Sequence, residues 1–166
     1  LNVGEEVTAA VETLGIRLSP DRQRWYGEPG RESRRTFFRQ TRGMRLDDLR
    51  DTAGAEPLSE RLWRRYGRRA FEMLDHIRED PSMAEDILGS SDYLRVELHN
   101  TASTEMIVHL DDFLRRRSKI SLITRLEDIQ NSKGLNEVGS ILFGTDAQTK
   151  LDAYFSSSSS PINPTR

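Results

Sequence analysis

Few residues of this 166-residue chain have the type and spacing that chemistry requires. The three histidines, His76, His99 and His109, have no partner four residues on, and no HExxH pattern occurs, so no metal-ligand set can be assembled from them. Acidic neighbours occur at Glu5 and Glu6, Asp47 and Asp48, Asp111 and Asp112, and Glu127 and Asp128. Adjacent side chains on a helix diverge by about 100°, so these pairs read as solvated faces and not as a general acid facing a base. There is no Walker loop, no GxGxxG and no GxSxG. No catalytic, cofactor-binding or metal-ligating residue is expected in this chain.

One polar constellation stands out. Tyr93 and Glu97 lie one helical turn apart, and Asp112, Arg116 and Arg117 sit in the next strongly patterned segment. If those two segments pack as antiparallel helices, Glu97 comes within reach of Arg116 or Arg117. The functional reading is a site for an anionic ligand. The structural reading, which is favoured, is an ion pair that fixes the register of two helices.

The elements that would carry these residues are helical. Val3, Val7, Val11 and Leu14 recur at helical spacing, with Gly15 at the end. From 18 to 57, Pro and Gly interrupt every pattern and Arg dominates. Only short helices are expected there, near 33–41 and 46–51, in a connection long enough to be a linker or to pack on something outside it. At Leu58 the apolar pattern sharpens, with Ser59 a candidate N-cap, Gly67 a divider and Pro81 a stop. A short helix follows over Ala84, Ile87 and Leu88 to Gly89, and Ser91 and Asp92 can open the next. The strongest pattern predicts one helix over 104–123, and Thr145 with Gln148 forms a capping-box pattern for a last helix. Five serines, Pro161 and Pro164 are expected to form a disordered tail. No strand pattern or repeat occurs, so the fold class is all-α: a small helical bundle with an irregular N-terminal extension.

Composition narrows the function classes. Leu, Ile, Val and Phe total 39 residues, or 23%, enough for a lean core. The net charge is −2, yet 14 Arg against 8 acids between 21 and 69 give +6, while 10 bases against 16 acids from 70 onward give −6. The Arg-rich stretch interleaves Trp25, Tyr26, Phe37, Phe38, Trp63 and Tyr66, a composition seen in nucleic-acid binding and also where a connection packs on a neighbouring domain. Its eight acids and lack of a basic recognition helix weigh against nucleic acid. Zero Cys excludes a disulfide scaffold and suits a reducing compartment. No run approaches the ~20 apolar residues of a membrane span. The start at Leu1, with no apolar signal core after it, reads as a cut inside a longer protein.

The same polar constellation carries a resemblance. Residues 93–98 (YLRVEL) followed by 105–118 (EMIVHLDDFLRRRS) resemble the helical C-terminal domain of FAD-dependent glycerol-3-phosphate dehydrogenases and the related α-glycerophosphate oxidases. In that family a Tyr and a Glu four residues on precede a Glu-Met pair and then Asp-x-Leu-x-Arg-Arg-Thr. Tyr93, Glu97, Glu105, Met106, Asp112, Leu114, Arg116 and Arg117 match without a gap, and Ser118 replaces the Thr. The family's Tyr-Gly-x-x-Ala element is similar to Tyr66, Gly67 and Ala70. Residues 1–15 resemble the last helix of the preceding FAD-binding domain, and 18–57 depart from the family.

The resemblance implies four parts: 1–17, a remnant of that preceding domain; 18–57, an Arg-rich connection; 58–155, the helical C-terminal domain; 156–166, the Ser/Pro tail. It implies a parent that oxidises glycerol 3-phosphate to dihydroxyacetone phosphate through FAD and passes electrons to quinone or oxygen. This chain would hold no cofactor and pack on the FAD-binding domain of the same polypeptide. The parent would be cytoplasmic, with peripheral association at the inner face of the cytoplasmic membrane. The alternative is a free-standing helical module that engages nucleic acid or acidic lipid through its Arg-rich segment.

Overall fold

The computed structural model describes residues 29–49, 56–89 and 93–158, together with Val11, Thr13 and Gly15. The expected first helix over 1–15 and most of the expected N-terminal remnant therefore lie outside the described residues, as do Ser91 and Asp92. The described residues form an all-α domain with no strand.

Helix α1 (Arg31–Gly43) and the 3-10 turn Leu46–Leu49 lead to α2 (Leu58–Tyr66) and α3 (Ala70–Glu79). Gly67 ends α2 at φ +54°, in the region a side chain disfavours, so the expected division at this glycine is found. Ser59 is not the N-cap. Pro57 takes that place, and Asp47 reaches across from the preceding turn to accept the Ser59 N–H at 2.7 Å and its hydroxyl at 2.8 Å. A carboxylate at the helix start serves the same free N–H groups and the helix dipole.

Residues 31–49 pack on this domain itself. Phe37 and Leu46 are fully buried with Leu58, Leu62, Met73 and Leu74, and Phe37 lies edge-on to Phe38 and Phe71 at 5.4 and 5.5 Å between ring centres. The expectation that the whole stretch is a linker, or packs on something absent, fails for this part. Two apolar residues nine positions apart among arginines are too sparse to announce a core contribution, and only their neighbours show it.

Pro81 stops α3, as expected. The short helix over Ala84–Leu88 is replaced by a 3-10 turn (Pro81–Ala84) and an extended crossing, where the Ile87 N–H donates to the Tyr93 carbonyl at 3.0 Å and the Arg95 N–H to the Glu85 carbonyl at 2.9 Å. Helix α4 (Arg95–Thr104) then joins two apolar clusters: Val96 belongs to the one just described, and Leu98 to a second with Leu110, Phe113, Leu114, Ile129, Val138 and Leu151.

The single helix expected over 104–123 is broken twice. Glu105 is extended (φ −126°, ψ 148°), and a new helical turn starts near Leu110 because the Asp112 carboxylate accepts the N–H of His109 at 2.9 Å and of Val108 at 3.3 Å. The turn Asp112–Arg117 is π-helical, and the Ser118 N–H and hydroxyl both close on the Phe113 carbonyl at 2.9 Å. Lys119 follows at φ +61°, ending the run before α5 (Ile120–Ile123) and α6 (Leu126–Gln130). Periodicity survived because Leu110, Phe113 and Leu114 still face the core, while hydrogen-bonding side chains interrupt the backbone.

Helices α7 (Leu135–Phe143) and α8 (Ala147–Ser158) complete the domain, with Gly144 at φ +56° between them. The expected capping box is not formed: Gln148 donates to Asp152 along α8 at 2.8 Å. The first three serines of the expected tail continue α8, and residues 159–166 lie outside the described residues.

Candidate functional site

The polar centre of the domain is built around Glu97. Helix α4 begins where the Leu94 N–H donates to Glu97 Oε2 at 2.9 Å, so the carboxylate serves the free N-terminus of its own helix. Its side chain is fully buried between the two apolar clusters. Helix α2 supplies the remaining partners: Arg61 Nη2 donates to Oε2 at 2.9 Å, Arg65 Nη1 to Oε1 at 3.0 Å, and the Tyr66 hydroxyl to Oε1 at 2.9 Å. Both oxygens thus accept two bonds each. This saturation makes a buried carboxylate tolerable.

Tyr93 lies beside this cluster. Its hydroxyl bonds Thr101 Oγ1 at 2.7 Å, and its ring meets Phe113 edge-on at 5.3 Å. Burial first, then the facing Glu97 charge, pushes the Tyr66 hydroxyl well above its ordinary range, so it stays protonated and keeps donating. Burial raises Tyr93 in the same way, opposed by the hydrogen bond to Thr101.

The expected partners of Glu97 are elsewhere. Arg116 pairs with Asp112 at 3.0 Å with 71% of its side chain exposed, and Arg117 pairs with Glu105 at 2.7 Å. The pairing of Glu97 with Arg116 or Arg117 is therefore corrected. With 104–123 broken at Glu105 and at the π turn, both arginines lie largely exposed while Phe113 and Leu114 are buried. Asp112 caps the turn that carries Arg116, and backbone hydrogen bonds from His109 hold its carboxyl below the usual range.

Arg61 and Arg65 were missed, yet the sequence holds a signal for them. Arg61 and Arg65 stand three and seven residues after Leu58, on the stripe that Leu58 and Leu62 bury, and a basic residue on such a stripe requires a buried acid. A second network supports α4 from its far side: Arg95 Nε donates to Glu137 at 2.6 Å, and Nη1 to the Ser82 carbonyl at 2.7 Å. The Glu137 carboxylate, with Glu85 beside it, holds the Arg95 guanidinium above its ordinary range despite partial desolvation.

Chemically, the centre is a lock. The carboxylate is covered by Arg61 and Arg65, its neighbouring hydroxyls are held neutral, and no open face brings a reacting atom to it. Among the described residues no group of three or more His, Cys, Asp or Glu gathers to hold a metal ion. No described helix is long and apolar enough to cross a membrane.

A family model, the C-terminal domain of alpha-glycerophosphate oxidase, matches residues 35–149. The match takes in the Glu97 centre, the Tyr66 to Ala70 element and the π turn. It also includes residues 35–57, which the sequence reading had set outside the resemblance. No curated protein and no solved structure matches the chain at a significant level.

Proposed function

The chain belongs to the family of the C-terminal domain of alpha-glycerophosphate oxidase, and from that premise we propose that it is the non-catalytic helical domain of an FAD-dependent glycerol-3-phosphate dehydrogenase. The parent oxidises C2 of glycerol 3-phosphate to dihydroxyacetone phosphate and passes electrons to quinone or oxygen. FAD supplies the hydride-accepting chemistry, and it is held by a preceding domain of the same polypeptide. Residues 1–17 belong to that preceding domain, 18–57 lead from it and add α1 and the Leu46 turn to the core of the helical body of 58–155, and 156–166 follow as the tail.

The family match across residues 35–149 carries this reading. The donor set agrees with it. A dinucleotide cradle places a glycine-rich turn between a strand and a helix, whereas the described glycines here end helices or admit close packing, as Gly67, Gly144 and Gly134 do. The described residues therefore do not fit FAD. Their task is structural: the Glu97 centre clamps α2 to α4.

The test compares two preparations. The 166-residue chain should fold as a helical protein without flavin absorbance and without dye reduction by glycerol 3-phosphate, while the longer polypeptide encoded by its reading frame should show both. Flavin-bound activity in the 166-residue chain, or its absence from the longer polypeptide, overturns the proposal.

A further inference from the structure

Helix α1 places Arg31, Arg35, Phe38 and Arg42 on one face at helical spacing, with Arg34 beside them. The opposite face buries Phe37 in the core, so this face is left toward solvent. It forms one wall of a groove of about 690 Å³, closed on the other side by Pro57, Ser59 and Glu60. That volume is in the range of small-molecule sites.

Two of the arginines are held in place on the groove wall. The Arg34 guanidinium lies over the Phe38 ring, 4.9 Å from its centre, and makes only a loose 3.6 Å contact with Glu60. Arg42 donates its Nε to the Phe38 carbonyl at 3.1 Å, which leaves both terminal nitrogens uncommitted among the described residues. Arg31 and Arg35 have no carboxylate partner among the described residues. Arg45, Arg64, Arg78, Arg95, Arg116 and Arg117 are each paired with an acid, whereas Arg39, Arg68, Arg69, Arg115 and Arg125 also lack a carboxylate partner among the described residues but do not line this groove. Ring stacking and a backbone hydrogen bond restrict Arg34 and Arg42 in advance, which lowers the entropic cost of engaging a ligand.

Four guanidinium groups on one groove wall with two preset forks match the geometry of a multiply charged oxyanion, bound through paired N–H donors. The groove also limits the kind of anion. Asp47 and Glu60 stand on its rim, Asp47 committed to Ser59 and Glu60 beside Arg34. Their charges oppose an extended polyanion passing through but leave room for a compact one. The geometry points to a binding site for a terminal phosphoryl group in the α1 groove, engaged by Arg31, Arg34, Arg35 and Arg42. The phosphoryl group can belong to a free phosphate ester or to a lipid headgroup. This site stands apart from the Glu97 centre and does not depend on the oxidoreductase reading.

The experiment titrates pyrophosphate, then inorganic phosphate, into the 166-residue chain at constant ionic strength by calorimetry. A parallel arm measures sedimentation with phosphatidylcholine vesicles with and without phosphatidic acid, and another a single-stranded oligonucleotide. Saturable pyrophosphate binding should weaken about tenfold or more in Arg35→Ala, since a hydrogen bond to a charged group is worth about a factor of ten upward. Arg35→Lys should lose less, and Arg116→Ala nothing. Binding only to phosphatidic-acid vesicles, lost in Arg35→Ala, supports the site and assigns the headgroup as its source. Circular dichroism verifies that each variant is folded, and an unfolded Arg35→Ala is replaced by Arg31→Ala. Absence of both kinds of binding, equal loss in Arg116→Ala, or oligonucleotide binding that exceeds pyrophosphate and collapses with salt overturns the inference.

Discussion

Replacing Glu97 by Ala should be among the most destabilising single changes in this domain. The substitution removes a fully buried carboxylate that accepts bonds from Arg61, Arg65, Tyr66 and the Leu94 N–H. It leaves the Arg61 guanidinium, with 8% of its side chain exposed, without its Glu97 partner. Breaking a buried pair by deleting one partner costs about 3–5 kcal/mol, because the surviving charge stays desolvated. Arg65 is 37% exposed and can turn to water, so its share is small. In a chain of this length each kcal/mol lowers the midpoint by about 2–4 °C, so Glu97→Ala should melt roughly 6–20 °C below the parent. Urea denaturation followed by circular dichroism measures the loss, and a double-mutant cycle apportions it. Glu97 should couple to Arg61 and show no coupling to Arg116, whose own replacement by Ala should stay within about 0.5 kcal/mol. A Glu97→Ala loss below about 1 kcal/mol, or a coupling to Arg116 as large as that to Arg61, would refute the reasoning.

Other expectations are narrower. Because the folded Tyr66 hydroxyl is raised above its unfolded value, the fold holds a proton that the unfolded chain releases; stability is complete below about pH 10 and declines above it. Tyr66→Phe should remove part of that alkaline slope in denaturation midpoints measured across the range, and an unchanged slope would deny the shift. A Cβ on Gly134 would run into the Ile87 carbonyl, a backbone atom that cannot swing aside, so Gly134→Ala should lose about 1–3 kcal/mol or more. At Gly139 the nearest atom is a Leu151 methyl at 3.1 Å, which can yield, and the same substitution should cost less; the ranking is read from paired urea titrations. Gly43, at the end of α1 with nothing within 4 Å of a built Cβ, should gain about 0.4–1 kcal/mol on replacement by Ala, and a loss there would show that the helix end needs its glycine.

The helices of the body were legible because their signals are local. Leu58, Leu62, Met73, Leu74 and Ile77 recur at helical spacing, and Gly67, Pro81 and Gly144 act through their own backbone preferences. The break at Glu105 was not legible in the same way. Leu110, Phe113 and Leu114 keep helical spacing on both readings, and the difference lies in where the Asp112 carboxylate and the Ser118 hydroxyl donate or accept. The contribution of Phe37 and Leu46 was obscured by the arginines around them. Helix α1 was expected at 33–41, but its role as a core element was not.

The sequence by itself determined an all-α chain, the punctuation of its helices, the family its Tyr93 to Ser118 stretch resembles and the need for a partner at Glu97. The fold class and the punctuation follow from short-range periodicity and from backbone geometry at Gly and Pro, the resemblance from the matching motif residues, and the need for a partner from the cost of burying a charge. Only the tertiary structure decided which arginines meet that carboxylate. An ion pair between distant segments depends on how α2 crosses α4 and on where the chain leaves its helix at Glu105, and neither angle nor break is encoded in the spacing of the paired residues. The same holds for the α1 groove: the sequence lists its arginines, and folding alone aligns four of them along one open wall.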